Sequence, residues 1–596
     1  MKIKGLLISM LACTALVGCT SDDVIDNVTQ EDNVTNQYAI KINLNFPGID
    51  ASSRAFDPSK ATFEDGISQE YYVNNCVVRF YDGTKKYLGS KTIAEKDFSS
   101  VTNETPNGNI TKAAEVTFRS VSKPVYAIAV VNDRTSSGTI GNITENTIDD
   151  LKSMVVYDQA NTTGSTSANL IYTLDETASI SNSGNFLMTN STYKNGNEII
   201  QEVDITGAVK EVEKNMTNDE AFALITNPAD IYVERVVAKV GLNMTLDETK
   251  NPEIKIEGKT GVYQLRYQTV GEETGDLAPY AIHVLGWGLN ATNKSFYPLK
   301  NISGINWDSS WNGTGRTFWA VDKNYNQGKY LEKDLLKGTT AEDGTTTPFK
   351  YNSTEYDLNY RTLDQITNAI NSNEYCYENT IPANVPYYAV THAVIKVRYM
   401  EQGEDDSWNY VPEGQYVYRI NQVLWNEANF RKHVAASLID KYIYKNGETQ
   451  MSQNDLSSKL SFTVDPVDAI VTIGVSTDVT VLEKDGTTLV TDINWNTTAN
   501  VGTVVAYKDG FCYYTIPIKH FDVAKDNVGH YGVVRNHWYQ LGVTSIAGFG
   551  EPGTGQPIIP EEETLKDWAV KCRINILAWS KVAQDNIEVG NGNTWN

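Results

Sequence analysis

Cysteine is scarce: 596 residues hold six, and only Cys76, Cys376, Cys512 and Cys572 lie beyond the first twenty positions. Their spacing matches no compact disulfide framework, which excludes a small stapled scaffold; buried free thiols are expected. Histidine also numbers six. No Cys-x-x-Cys, His-Glu-x-x-His or phosphate-binding loop occurs, so common zinc, redox and nucleotide chemistries have no starting point. His530 and His537 read as structural histidines. The literal Gly-x-Gly-x-x-Gly at Gly548–Gly553 has no following helix and reads as linker. No catalytic residue, metal or cofactor is expected. Basic charge is short as well, with 50 Lys and Arg against 74 Asp and Glu, a net −24. That balance disfavours nucleic acid and anionic membrane surfaces as partners. Sustained helical periodicity is rare and no short-period repeat is visible, which argues against a solenoid.

What is present is strand-like. A chain this long needs two or three cores, and its abundant Gly, Asn, Thr and Tyr favour β-structure. Tyr38, Ile40, Ile42, Leu44 and Phe46 alternate with Ala39, Lys41, Asn43 and Asn45, the period-2 signature of a strand with one apolar face. Val125–Val131 is nearly continuous in apolar residues and reads as a buried central strand. Further strands are predicted at 76–81, 115–118, 231–244, 263–270, 281–288, 387–399, 469–475, 503–507, 512–517 and 537–546. Helical patterns cover 147–157, 219–226, 361–372 and 422–444, the last placing Leu424, Ala428, Phe430, Ala435, Leu438 and Tyr442 on one side. A domain boundary is expected near 228. Residues 301–343 read as a surface excursion whose Trp311, Trp319 and Tyr325 serve packing rather than a glycan site.

The two chain ends carry the remaining signals. Lys2 and Lys4 precede an apolar stretch too short for a membrane span, ending Leu16-Val17-Gly18-Cys19. This resembles a bacterial lipobox, with cleavage before Cys19 and lipidation of its thiol. Residues 19–36 hold five acids and no base, and read as a solvated tether opening on an acidic surface-export signal. Arg54, the first arginine, sits in a small-polar loop; on residue types alone it is a surface arginine. At the other end Trp568, Val570, Cys572, Ile574, Ile576 and Ala578 alternate with polar and small residues. They follow a stretch, 549–564, containing Pro552, Pro557, Pro560 and Glu561–Glu563, which reads as a tether unable to pair inside a sheet. A terminal amphipathic strand on such a tether is free to pair outside its own domain. Pairing in its own sandwich is the plainer alternative.

Several segments together resemble the fimbrillin family, the structural subunits of Bacteroidales (type V) fimbriae. They are Phe511–Ile518, Gly532–Tyr539 (with Val-Arg-Asn-His-Trp-Tyr), Thr544–Pro552 leading to Leu577-Ala578-Trp579, Glu234–Val240 and Val125–Asp133. Within the family the likeness is greatest to the shaft subunit of the minor (Mfa-type) fimbriae. The resemblance implies an all-β chain: two transthyretin-like β-sandwich domains, short helical insertions and a C-terminal extended donor strand. It divides the chain into a signal peptide (1–18), a propeptide with a displaceable strand (19–54), sandwich domains at 55–228 and 229–548, and a linker with donor strand (549–596). It implies a lipoprotein precursor, a cut between Arg54 and Ala55 by an arginine-specific protease, and departure of the strand bearing Tyr38, Ile40, Ile42, Leu44 and Phe46. The strand bearing Trp568, Val570, Cys572, Ile574, Ile576 and Ala578 of another copy would then enter the vacated place. The implied partners are further copies, accessory fimbrial subunits, the outer membrane through the lipid before processing, and a host or bacterial surface ligand. The alternative is a non-polymerising surface lipoprotein: a glycan-binding protein, an anchor or a tip adhesin. The chain departs from typical shaft subunits in extra segments around 300–350 and 400–460, which are expected to be loops.

Overall fold

The computed structural model describes residues 35–45, 73–101, 111–133, 147–157, 186–195, 198–266, 276–302, 319–325, 339–340, 346–347, 358–381, 387–420, 423–520, 527–546, 548–560 and 570–578. The fold is all-β, with short helices between strands.

The first body is one ten-stranded sheet folded over on itself, with eight strands on its main path and two beside it. Its main order is Tyr87–Ala94, Asn75–Tyr81, Tyr126–Val131, Met188–Asn190, Ala229–Arg235, Asn36–Asn45, Thr111–Ser120, Ser99–Val101. Phe80 and Phe118, from strands five places apart in that order, bring their rings to 4.6 Å. Only two facing layers allow that contact, so the body is a sandwich. The corner is made by Ala229–Arg235. Its first residues run parallel to Asn36–Asn45, while Val233–Arg235 pair antiparallel with Met188–Asn190. As its apolar run requires, Tyr126–Val131 lies inside the sheet with Ala127 through Val131 buried.

The second body stacks two sheets over a common core. One runs Asn373–Tyr377, Val237–Met244, His537–Ile546, Val570–Ala578; the other runs Val262–Arg266, Leu277–Asn290, His392–Gln402, Phe511–Pro517, Glu551–Pro552. Leu242, Tyr539 and Leu541 of the first meet Trp287, Val397 and Tyr514 of the second.

Several expectations are corrected. The stretch 231–244 is two strands, and the chain changes bodies at Val236 rather than near 228, because Ala229–Arg235 still pairs in the first sheet. No helix forms over 361–372. Thr362 and Gln365 close a capping box, but only the 3-10 turn Leu363–Gln365 follows. Asn368 then exchanges two backbone hydrogen bonds with Trp287 and Asn371 turns left-handed, so the backbone groups a helix needs are taken. The helix expected at 422–444 is shorter, Glu427–Ile439, and is flanked by strands Val423–Asn426 and Ile443–Asn446. It buries Phe430, Val434, Ala435 and Leu438 but leaves Ala428 exposed. That helix belongs to a third body over 416–508, not to a loop. Tyr418, Phe430, Leu438, Tyr444 and Val504 share a core of its own, while Val417 and Tyr507 on the opposite faces of its strands join the second core. Trp319 is buried against His520, ring centroids 5.3 Å apart.

The first two bodies are tied by charge taken out of water. Lys300 Nζ donates to Glu234 Oε2 at 2.9 Å with both side chains buried. Arg535 donates to Glu378 at 2.6 Å and to the carbonyls of Tyr297 and Pro298 at 2.7 and 3.0 Å. Thr189 of the first body donates to the same Pro298 carbonyl. Lone buried charges are costly, and here each is paired and hydrogen-bonded.

Candidate assembly site

The leading strand, Asn36–Asn45, is an interior strand. On one side it pairs antiparallel with Thr111–Ser120 over ten positions, Asn36↔Ser120 to Asn45↔Thr111. On the other, Tyr38–Ile40 pair antiparallel with Val209–Glu211 and Ile42–Asn45 pair parallel with Ala229–Tyr232. Tyr38, Ile40, Ile42 and Leu44 are buried, at most 2% exposed, and Ala39 is buried on the other face. Polar ties fix the register: Lys41 to Glu115 at 2.9 Å, Asn43 and Asn45 both to Asp230, and Gln37 to Asn218. Its walls are Ala114, Val116 and Phe118 on one strand and Ile231 on another, all buried in the same core. Loss of this strand would bare that core and two rows of ladder groups.

The trailing strand, Val570–Ala578, is an edge strand. It lies antiparallel on His537–Ile546 of its own chain, so the plainer alternative describes this single chain. Val570, Cys572, Ile574, Ile576 and Ala578 register with Ile546, Val543, Leu541, Tyr539 and His537, whose side chains are buried. The register slips between Val543 and Ser545, leaving Thr544 as a bulge. Cys19, Phe46, Arg54, Ala55 and Trp568 lie outside the described residues.

The stretch before the trailing strand departs most from its expected role. Residues 548–560 are held against the second body. Glu551 and Pro552 pair with Tyr513 and Cys512. Tyr514 donates its hydroxyl to the Gly548 carbonyl at 2.6 Å, and Tyr507 to that of Gly550 at 3.0 Å. Burial pushes both phenols well above their ordinary range, so they stay protonated donors. Asn290 donates to the Ile558 carbonyl at 2.7 Å, and the Ile558 amide donates to Arg361 O at 2.8 Å. Phe549 and Ile558 are buried. A Cβ on Gly550 would sit 2.1 Å from the Tyr513 carbonyl, so only glycine fits. Tyr507, Tyr514 and Asn290 were invisible as holders of this stretch because their partners are carbonyls far along the chain; the one local signal was Gly548-Phe549-Gly550, two small residues around an aromatic one.

His537, at the end of the trailing strand's partner, is buried neutral. Desolvation pushes its pKa down to about 4, outweighing the hydrogen bond of its Nδ1 to Arg535 O at 2.8 Å. Among the described residues no group of three or more His, Cys, Asp or Glu is placed to hold a metal ion.

Comparison with known proteins adds the following. Residues 505–585, from the strand Val504–Lys508 through the trailing strand, match the family described as "Major fimbrial subunit protein type IV, Fimbrillin, C-terminal". No curated protein matches the sequence. Among solved structures, the fimbrilin FimA of Porphyromonas gingivalis W83 is similar at 12% identity over 91% of this chain and 99% of that one, with a TM-score of 0.32. The tip fimbrial protein Mfa3 of Porphyromonas gingivalis, truncated at its C-terminus, is similar at 10% identity over 90% of this chain and 100% of that one, with a TM-score of 0.28. Likenesses this faint carry no weight for function. The sequence match does: residues 505–585 are similar to the C-terminal part of the fimbrillin family.

Proposed function

We propose that this protein is a shaft subunit of an Mfa-type surface fimbria, a structural protein rather than an enzyme. It is exported as a lipoprotein through Cys19, cut between Arg54 and Ala55, and joined head to tail with further copies and accessory subunits by strand exchange. The observation that carries this reading is the unequal standing of the two terminal strands. The leading strand is interior and paired on both sides; the trailing strand is at an edge and paired on one. They span ten and nine residues. A trailing strand moving from its own edge to a neighbour's vacated place gains a second row of ladder hydrogen bonds, each about 0.5–1.5 kcal/mol net. It also buries five apolar positions in a ready-made core. Such β-strand addition is a known recognition mode. Because the contact is heterologous, it does not close and yields a fibre.

The docking of Val570–Ala578 on its own chain favours a second reading, a surface lipoprotein that does not polymerise, such as an anchor or tip adhesin. Arginine-specific proteolysis separates the two. Polymerisation predicts SDS-resistant ladders from the full chain and none from a chain ending at residue 560 or from Arg54→Ala. Ladders that persist without 561–596 contradict strand exchange through this tail, and a cut chain that stays monomeric supports the second reading.

A further inference from the structure

We infer that residues 548–560 are a fixed anchor through which pull on the trailing strand is delivered to the second body, so that detaching Val570–Ala578 frees the chain back to Pro560 and no further. The mechanical role rests on the proposal that this strand is given to a neighbour; the anchor itself does not.

A strand handed to a neighbour must leave its own edge while its chain stays joined to its body. Were 549–564 the loose tether its composition suggests, tension would peel His537–Ile546 next. The structure places a different arrangement there. Ile546 is tied at both backbone groups to the Asn251 side chain, at 2.8 and 2.9 Å. Past it come the Tyr514 and Tyr507 hydroxyls on Gly548 and Gly550, the pairing of Glu551 and Pro552, the Gly553 amide on Phe511 O, and Ile558 held by Asn290 and Arg361. Two apolar plugs accompany these bonds. Phe549 packs edge-on to Tyr507 and tilted to Tyr399, both centroids at 5.3 Å. Ile558 packs with Leu363, Ile366 and Val394. The ties come from two strands of one sheet of the second body, from Arg361 and from the third body's last strand, so no single hydrogen bond bears the pull. Tyr507 sits on the third body's last strand, Val504–Lys508, yet its side chain is part of the second body's core. The third body thereby helps hold the root of the tail.

The test is to stretch single full-length molecules in optical tweezers, with handles at exposed Glu404 and at the C-terminus. Detachment of the trailing strand should release 561–578, about 60 Å of contour at roughly 3.3–3.6 Å per residue, followed by a separate event at higher force. Phe549→Ala and Tyr514→Phe should lower the force of the second event and leave the first unchanged. Gly550→Ala should merge the two if the chain folds; the two milder variants decide the matter if it does not. A single event in the native chain, running past Ile546 and releasing about 110 Å, overturns the anchor, as does a second event indifferent to both milder variants. Two-step release from a chain that never forms ladders after proteolysis leaves the anchor standing and removes the strand exchange.

Discussion

Replacing Ile42 by alanine should weaken the uncut chain and leave the assembled fibre untouched. Ile42 is buried, registered between Ala114 and Ala229. Removing three of its carbons there costs about 2–5 kcal/mol, the transfer term plus a cavity. With Ile40→Ala added, the loss is roughly 4–10 kcal/mol, set against a total stability of about 5–15 kcal/mol for a domain. The double variant should therefore leave the first body barely folded before processing. Urea denaturation followed by tryptophan fluorescence and far-UV circular dichroism reads the shift in midpoint at constant slope. If, as proposed, a cut between Arg54 and Ala55 releases the leading strand, the same substitutions should not change the temperature at which SDS-resistant ladders dissolve. Ile574→Ala should lower the temperature at which the ladder dissolves, where the proposal pairs its strand on both sides. Equal weakening of intact chain and ladder by Ile42→Ala would refute the displacement, because it would mean that the leading strand still fills its place.

Three further outcomes follow from the same geometry. Stability should fall by about 3 kcal/mol as pH drops from 6.5 to about 4, because the depressed pKa of His537 means the unfolded chain takes the proton first. Its surroundings are His520, Tyr539, Lys300 and the Arg535 carbonyl, and His537→Gln should flatten that part of the denaturation-versus-pH curve. A second, lower slope should run from pH 4.5 to about 2. Burial alone would raise the Glu202 carboxyl, but its bonds to Lys85 and Lys152 hold it down at about 2, and Glu202→Gln should remove this slope. Glu234→Gln should cost about 3–5 kcal/mol by leaving Lys300 buried without its counter-charge; pairing it with Lys300→Met should recover most of the loss in the same assay.

Much of the fold was legible because alternation is a local signal. Tyr38 to Leu44 announce an amphipathic strand with no help from the rest of the chain, and Tyr126–Val131 announces a buried one. Alternation says which face is apolar, but not which sheet receives it. Hence the strand at 570–578 was legible while its place on His537–Ile546 was not. Composition misled where distant partners decide the outcome. Pro, Gly and Glu in 549–564 read as tether, yet the carbonyls of Gly548, Gly550 and Ile558 are claimed by Tyr514, Tyr507 and Asn290. The third body was missed for a related reason. Its helix carries a short apolar stripe, and its core closes only when strands from 416 to 508 come together. The body boundary moved from 228 to Val236 because a single strand serves two layers, turning a corner no periodicity marks.

Strand exchange is tested most directly with two chains that can each perform only half of it. One is cut between Arg54 and Ala55 and ends at residue 560, so it can receive but not give; the other is full-length Arg54→Ala, which can give but not receive. Mixed, they should form a one-to-one pair by light scattering that resists SDS and grows no further. No pair, or a pair that forms equally well when the second chain also ends at residue 560, would contradict the account.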